Sequence, residues 1–223
     1  MINKIKSYVL RQGHMTSAQK RALETLWPHY GLLLSDGKIN FKKIFGNNHP
    51  VILEIGFGMG QGLLNLAQQN QNYNFLGIEV HRPGVGRLFL DLQKNLISNV
   101  RVYKEDAVNV LQTCIEDNSL HRILIFFPDP WPKRRHHKRR LIQASLLLLL
   151  YQKLEFQGEV YLATDWQAYA NVMLEAFQGV PGFENQSQND GFIIRPLWRP
   201  ETKFEMRGKR LGYGVWDLCF KKT

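Results

Sequence analysis

Cysteine is scarce in this chain, and its two cysteines, Cys114 and Cys219, lie far apart without a CxxC pair. Neither a zinc site nor a disulfide framework is therefore indicated, and we interpret both as reduced thiols of a cytosolic protein. The N-terminal stretch MINKIKSYVLRQGHMTS lacks the apolar core of a signal peptide. The apolar run Leu146–Leu150 is too short to cross a bilayer. The sequence thus predicts a chain without membrane segments.

Acidic residues are also few relative to basic ones. The chain has 19 Asp and Glu against 29 Lys and Arg, a formal net charge of +10 and a pI of about 9.7. Six of the Lys and Arg residues fall within Lys133–Arg140. A clustered positive charge of this kind favours a polyanionic partner such as a nucleic acid, although a merely solvated charged face is the alternative.

The apolar pattern predicts an alternation of strands and helices. Strands are expected at 51–55, 75–80, 100–103, 123–127 and 159–163, and two closing strands at 192–195 and 213–221. Helices are expected near 61–69, from Pro83 onward, and near 106–117, 139–154 and 166–178. This order is typical of an α/β protein with a mostly parallel, doubly wound sheet, and a ligand is expected beyond the carboxyl ends of its central strands.

The two ends of this alternation divide the chain. Residues 1–45 are predicted to be an N-terminal extension with one helix, which begins at a capping box of Thr16 and Gln19 and runs until Pro28. Residues 46–223 form the predicted main domain.

A glycine turn follows the first predicted strand. Gly56, Gly58 and Gly60 have the spacing GxGxG, which differs from the GxGxxG of dinucleotide enzymes, and no lysine follows as in a P-loop. Glycine allows a sharp turn and a close approach of the backbone to a ligand. A tight strand–helix turn without any ligand is the alternative.

Three acids lie at or near successive predicted strand ends. Glu54 lies in the first strand, Glu79 ends the second and lies 19 residues after Gly60, and Asp106 follows the third. An acid about 20 residues after the glycine turn accepts hydrogen bonds from ribose hydroxyls, whereas Asp106 is equally suited to an N-cap. Because Glu54 would repel a pyrophosphate, the set favours S-adenosylmethionine, which carries a ribose, an adenine and two cationic groups.

The segment FFPDPWPKRRHHKRR joins an acid, an aromatic residue and a basic run in one loop. Asp129 lies between two prolines that stiffen the loop, and Trp131 offers a stacking face. The loop resembles the (D/N)PP(Y/F/W) motif of methyltransferases that act on base amino groups, and a rigid structural corner is the alternative. Its position favours phosphate contacts by the basic run over a metal role for His136 and His137.

As a set, these segments resemble the bacterial tRNA (guanine-N7)-methyltransferase family, often called TrmB. The matching segments are RQGHMTSAQKRAL, LEIGFGMG, GIEVHRPGVG, FPDPWPKRRHHKRR, ATDWQAYA and RPETKFEMRGKRLGYGVWDL, which extend over nearly the whole chain. The resemblance implies a Rossmann-like class I methyltransferase fold and transfer of a methyl group from S-adenosylmethionine to N7 of a guanosine in the tRNA variable loop.

The resemblance also assigns roles to individual residues. Glu54, Gly56, Gly58, Gly60, Glu79, Asp106 and Asp129 would line the cofactor site, with Asp129 as the catalytic residue. Lys133, Asp165, Thr202, Lys203, Phe204 and Glu205 would contact substrate, and Arg135, His136, His137, Lys138, Arg139 and Arg140 would contact RNA. We expect no metal, a cytoplasmic protein, and either a monomer or a homodimer.

Three other functions are compatible with parts of the sequence. An RNA or DNA amino-methyltransferase is suggested by the Asp-Pro-Trp loop, and a non-catalytic RNA-binding protein is suggested by the charge. A nicotinamide oxidoreductase would also use a glycine turn, but the missing GxGxxG spacing argues against it.

Overall fold

The computed structural model describes residues 6–9, 13–210 and 212–223, without the side chains at 203, 204, 207 and 209. Within these residues one eight-stranded sheet lies between two layers of helices. Its strands are β1 (Gly31–Leu32), β2 (Val51–Ile55), β3 (Asn74–Ile78), β4 (Val100–Tyr103), β5 (Leu120–Phe126), β6 (Leu154–Thr164), β7 (Phe183–Asn185) and β8 (Trp216–Lys222). The helices are α1 (Ser17–Thr25), α2 (Trp27–Tyr30), α3 (Phe41–Phe45), α4 (Gln61–Gln69), α5 (Arg82–Lys94), α6 (Ala107–Thr113), α7 (Ala144–Lys153), α8 (Gln167–Gln178) and α9 (Lys203–Arg210).

The strand order is β1-β4-β3-β2-β5-β6-β8-β7, and β8 runs antiparallel to both of its neighbours. The remaining pairs are parallel. The predicted mostly parallel, doubly wound sheet with an antiparallel closing strand is thereby confirmed. The chain winds outward in opposite directions from β2 and β5, so the crevice between their carboxyl ends is where a ligand is expected.

Alternating side chains of the central strands face two different apolar layers. Leu53 and Ile123 pack with α6, α7 and α8, whereas Ile52 and Leu124 pack with α4 and α5 on the other face. Because both faces are covered, β2 is buried along its whole length. A rigid, fully buried strand therefore presents Glu54 near its carboxyl end.

The N-terminal extension is integrated into this fold. The predicted capping box is confirmed, since Gln19 N donates to Thr16 Oγ1 and Thr16 N donates to Gln19 Oε1. The Gln19 amide also donates to Pro83 O, and a Cβ at Gly86 would lie 2.7 Å from Gln19 O. Helix α1 therefore packs closely on α5, and β1 then extends the sheet beside β4.

The closing part of the chain differs most from the sequence prediction. Only Ile193 of the expected strand 192–195 pairs, through an isolated bridge to Asp217, and β7 begins nine residues earlier, at Phe183–Asn185. Helix α9 lies between the two expected closing strands, where no helix or strand was expected, and the helix expected from 139 begins only at Ala144. The residues Arg134–Arg139 form a 3₁₀ helix instead.

Candidate active site

A cavity of about 210 Å³ opens at the carboxyl ends of β2, β3, β4 and β5. Gly56, Glu79 and Asp129 line it directly. Glu54 and Asp106 lie beside it, since their chain neighbours are part of the lining. The structure thus brings the predicted cofactor acids and the predicted catalytic loop to one place, at the crevice that the strand order indicates.

The glycine turn depends on backbone conformations that other residues rarely adopt. Gly56, Gly58 and Gly60 have φ angles of +79°, +59° and +80°. A Cβ on Gly60 would lie 2.8 Å from the side chain of Leu88, and a Cβ on Gly84 of α5 would collide with the carbonyl of Gly58. The turn is therefore pressed against α5 and leaves its other side open to the cavity.

Glu54 is an acid with an unsatisfied buried oxygen. Its side chain is 6% exposed, and Oε2 has no hydrogen-bond partner among the described residues. Burial, and to a smaller extent the charge of Glu79, raises the pKa of Glu54 to about 8. A buried acceptor without a partner is costly, and a cationic ligand group would supply both the hydrogen bond and the charge.

Glu79 holds the glycine turn against the end of β3. Its Oε2 accepts a hydrogen bond from Gly58 N at 2.8 Å, while Oε1 accepts from the backbone N–H groups of Val80 and His81 at 2.6 and 2.9 Å. Three backbone donors thus fix this carboxylate at the cavity wall. A carboxylate so fixed is oriented before a ligand arrives, which favours binding of a diol.

Asp106 caps helix α6 and also meets the N-terminal segment. Its Oδ1 accepts from Val108 N and Asn109 N at 2.9 and 3.3 Å, as the N-cap alternative predicted. The hydroxyl of Tyr8 forms a hydrogen bond with Asp106. Burial, Asp106 and then Glu105 raise the pKa of Tyr8 to about 12, so this hydroxyl stays protonated and donates to the carboxylate.

Ser7 and Tyr8 both line the cavity, and sequence reasoning missed them. The indole Nε1 of Trp131 donates to Ser7 O at 3.1 Å. One short stretch of chain therefore touches Asp106 on one side and the predicted catalytic loop on the other. A lone aromatic residue in a polar N-terminus carries no periodic or spacing signal that would have revealed this.

The loop that carries Asp129 contains two residues with unusual backbone angles and is held in place by a buried arginine. Phe127 and Trp131 have φ angles of +52° and +45°, which non-glycine residues rarely adopt. Arg140 is 7% exposed, its Nε donates to Pro130 O at 2.9 Å, and its guanidinium lies 4.8 Å from the centre of the Tyr169 ring. Arg140 points inward, which is at odds with the expected RNA contact, and it stabilises the loop instead.

The rest of the basic run forms a cationic surface beside the cavity. Arg135, His137 and Lys138 are exposed, and the guanidinium of Arg139 lies 5.0 Å from the Trp131 ring centre. His136 packs edge-on against the same indole. Desolvation and then the nearby cations of Arg135 and Arg139 lower the pKa of His136. The surface thus combines exposed positive charge with an aromatic ring close to Asp129 in the chain.

The predicted substrate residues divide into two groups. Lys133 and Asp165 are exposed, and Thr202 is half-buried with its hydroxyl accepting a hydrogen bond from Glu205 N at 3.1 Å. Glu205 is fully buried and bound to Arg199. The side chains of Lys203 and Phe204 lie outside the described residues.

These groups fit S-adenosylmethionine on structural grounds. The orphaned oxygen of Glu54 suits its amino group, Glu79 suits the ribose hydroxyls, and Asp106 suits the adenine amino group once Tyr8 yields its hydrogen bond. Because the positive-φ glycines have no Cβ, the backbone can approach a bound ligand closely. Among the described residues no cluster of three His, Cys, Asp or Glu side chains could hold a metal ion, and no helix there is long and apolar enough to span a membrane.

Comparison of the sequence with known proteins identifies a family of similar proteins. The sequence model of a family described as "Putative methyltransferase" matches residues 48–218. A tRNA (guanine-N(7)-)-methyltransferase from Alcanivorax borkumensis is 48% identical over 222 residues, which is 100% of this chain and 93% of the relative. A protein of the same name from Stutzerimonas stutzeri is 50% identical over 218 residues, or 98% of this chain and 92% of the relative.

Solved structures support the fold. The crystal structure of a methyltransferase from Pyrococcus furiosus matches with a TM-score of 0.54 and 18% identity, and the match covers 92% of this chain and 94% of the other. At that identity the likeness concerns the fold alone, which is the Rossmann-like class I methyltransferase fold.

Proposed function

The chain belongs to the family of bacterial tRNA (guanine-N(7)-)-methyltransferases, and we propose that it methylates a guanosine of the tRNA variable loop in the cavity beside Asp129. The enzyme depends on S-adenosylmethionine and forms 7-methylguanosine in tRNA. One observation carries the placement of the site. Glu79 and Asp129 line the same cavity, Glu54 and Asp106 lie beside it, and the cationic surface is next to it.

The chemistry asks for positioning more than for proton transfer. Guanine N7 is an acceptor whose lone pair lies in the plane of the ring, and it carries no proton at neutral pH. S-adenosylmethionine supplies the methyl group as an electrophilic carbon on a sulfonium. The protein must therefore hold the base so that N7 lies in line with that carbon, and proximity and orientation supply most of the acceleration.

Asp129 is the residue best placed to hold the base. Asp129 lines the cavity, and the hydrogen bond from Arg140 to Pro130 O holds the neighbouring backbone of its loop. It would accept hydrogen bonds from guanine N1 and N2, or stabilise the positive charge that methylation places on the purine. Asp129→Asn removes the charge but also replaces one acceptor oxygen with an NH2 donor that would face the guanine N–H groups, so it should impair both roles.

Contacts to the tRNA are assigned to the exposed residues near this loop. Arg135 and Lys138 are exposed and would contact phosphates, while Arg139 and His136 pack against Trp131. Lys133 and Asp165 would bind the target nucleotide, together with Thr202 at the start of α9. A stacked target base must first be unstacked, at a cost of a few kcal/mol, and the cationic surface would offset part of that cost by binding the backbone.

The direct test is a methylation assay with labelled S-adenosylmethionine and an unmodified tRNA transcript. Nucleoside mass spectrometry identifies the product, and sequencing of nuclease fragments locates it. We expect 7-methylguanosine in the variable loop. Asp129→Ala should lower the rate of product formation about 100-fold or more, whereas Asp190→Ala, which removes an exposed acid from another loop, should not.

Other results would lead to different functions. Methyl groups on an exocyclic amine would establish an amino-methyltransferase, and tRNA binding without any transfer would indicate a binding protein. 7-Methylguanosine at another position would leave the reaction in place and overturn the variable-loop assignment.

Two further proposals concern the protein as a whole. We propose that it acts in the cytoplasm, where its tRNA substrate is found, and that it is a monomer or a homodimer. Cell fractionation and light scattering of the protein with and without tRNA test these two proposals.

A further inference from the structure

An arginine with a fully buried side chain lies behind the cavity wall. Arg199 belongs to the segment between β7 and α9, and its side chain has no exposure to solvent. Burial of a guanidinium is strongly unfavourable unless carboxylates pair with it in good geometry. The carboxylates that pair with Arg199 therefore indicate which elements its side chain connects.

Arg199 is paired with two buried carboxylates from two different elements. Nη1 and Nη2 donate to the two oxygens of Glu205 at 2.7 and 3.0 Å, which is a bidentate pair. Nη2 also donates to Asp217 Oδ2 at 3.1 Å, and Nε lies 2.6 Å from Asp217 Oδ1. Arg195 Nε lies 3.5 Å from Glu205. Among the described side chains, two cations and two anions thus form a cluster, called here the Arg199 cluster (Arg195, Arg199, Glu205 and Asp217).

The Arg199 cluster connects three parts of the active-site region. Glu205 lies in the first turn of α9, and Asp217 lies in β8. The guanidinium carbon of Arg199 lies 5.8 Å from the ring centres of both Phe126 and Phe127. These two phenylalanines line the cavity, so the cluster fixes the start of α9 against the end of β5.

The residue before Arg199 is fixed on the sheet. The Trp198 ring packs edge-on against Tyr161 at 4.8 Å. The guanidinium of Arg122 lies 5.0 Å from both ring centres and pairs with Glu159 at 2.8 Å. The backbone next to Arg199 is therefore held on the sheet. From this fixed position the Arg199 side chain binds Glu205 in the first turn of α9.

The cluster also bears on the part played by Glu205. Both of its oxygens lie on the Arg199 guanidinium, and the residue is completely buried. A guanine could reach this carboxylate only if the bidentate pair broke. Thr202, in contrast, is partly exposed at the same helix start, and its hydroxyl accepts from Glu205 N.

We propose that Arg199 is a positioning residue for methyl transfer, which acts through Glu205 and Asp217 to place Thr202 and the start of α9 beside the cavity. In this proposal Glu205 is part of the Arg199 cluster and does not bind guanine. The inference rests on the proposed function for its kinetic part, since methyl transfer to tRNA is the reaction that the kinetics follow.

The first experiment needs no substrate. Arg199→Lys keeps the charge but loses the bidentate fork, and Arg210→Lys on the exposed end of α9 is the matched control. Hydrogen exchange of the unliganded protein should show faster exchange at residues 203–210 in Arg199→Lys and unchanged exchange in the central strands. Unchanged exchange in α9 would overturn the proposal, whether or not the enzyme methylates tRNA.

The second experiment separates positioning from base contact. In Arg199→Lys and Glu205→Gln, kcat should fall about 10- to 100-fold, while the dissociation constant of S-adenosylmethionine changes less than about threefold. Both variants are then compared with wild type on tRNA that carries inosine in place of the target guanosine. Inosine keeps N7 but lacks the 2-amino group.

A positioning role leaves the ratio of kcat/KM for guanosine and inosine the same in wild type and in both variants. A direct contact of Glu205 with the amino group would instead bring the ratio close to one in Glu205→Gln, and that result would overturn the proposal. If wild type gives no 7-methylguanosine, the proposed function fails, and the hydrogen-exchange experiment still decides whether the Arg199 cluster fixes α9.

Discussion

Glu54→Gln should make the unliganded protein more stable at neutral and alkaline pH. Burial and Glu79 raise the pKa of the Glu54 carboxyl from 4.5 to about 8 in the folded protein. The folded state therefore binds this proton more tightly than the unfolded state does. The stability that it contributes is fully present below pH 4.5 and is lost as the pH rises through about 8.

The size of the effect follows from that difference in pKa. Each pKa unit corresponds to about 1.4 kcal/mol, so complete ionisation of Glu54 removes on the order of 5 kcal/mol. Between pH 5.5 and 7.5 the wild type should lose roughly 2–3 kcal/mol through this group. Glutamine has the same shape and no ionisable proton, so the variant lacks this loss.

Urea unfolding without cofactor at the two pH values measures the effect. The free energy of unfolding of Glu54→Gln minus that of wild type should rise by roughly 2–3 kcal/mol from pH 5.5 to 7.5. Glu175→Gln, which alters an exposed carboxyl of α8, provides the matched control and should show a much smaller change. A rise of less than about 0.5 kcal/mol in Glu54→Gln would refute the reasoning, because Glu54 would then be ionised throughout.

The same proton should be released when a cationic ligand binds. At pH 7 a carboxyl with a pKa of about 8 is about nine-tenths protonated, and a bound ammonium group favours the ionised form. Calorimetry of S-adenosylmethionine binding in two buffers of different ionisation enthalpy should therefore reveal close to one released proton in wild type. In Glu54→Gln the release should disappear, and the affinity should fall.

Three other perturbations test the remaining parts of the site. Asp129→Ala should lower kcat by about 100-fold or more while changing the dissociation constant of S-adenosylmethionine by less than about threefold; near-wild-type turnover would remove Asp129 from the mechanism. Lys138→Ala should reduce the steepness of the plot of log affinity for tRNA against log salt concentration by up to about one. Lys94→Ala, at the far end of α5, should leave this slope unchanged. Equal slopes in the two variants would place the cationic surface away from RNA. Gly84→Ala puts a Cβ into the carbonyl of Gly58, so it should displace the glycine turn and weaken cofactor binding at least about tenfold, and wild-type affinity would show that the turn is adaptable.

The proximity of the proposed cofactor residues, called here the cofactor half of the site, could be predicted from the sequence because local pattern and topology agree there. Alternating strands and helices determine a parallel sheet, and the carboxyl ends of its strands meet at one edge. Glu54, Glu79 and Asp106 come from neighbouring strand ends, so their proximity follows from the strand order. The pKa of Glu54 does not follow from sequence, because it depends on how completely the glycine turn and α4 cover the carboxyl.

The substrate half was predicted less well because distant contacts determine it. The residues 192–195 have the apolar character of a strand, yet Ile194 is 94% exposed and only Ile193 pairs with β8. Helix α9 is strongly polar and has few apolar residues, and its start is held by the Thr202 cap and by Arg199. Tyr8 reaches Asp106 across nearly half the chain, and no local signal indicates such a contact.

The Arg199 cluster also has a consequence for the order of biosynthesis. The ribosome makes the glycine turn, Glu79, Asp106 and Asp129 well before it reaches Arg199, Glu205 and Asp217. A nascent chain can therefore form the strand ends that line the cavity before the Arg199 cluster is complete. A chain stalled before Trp216 lacks Asp217, so the Arg199 guanidinium lacks one of its two carboxylates until β8 is translated.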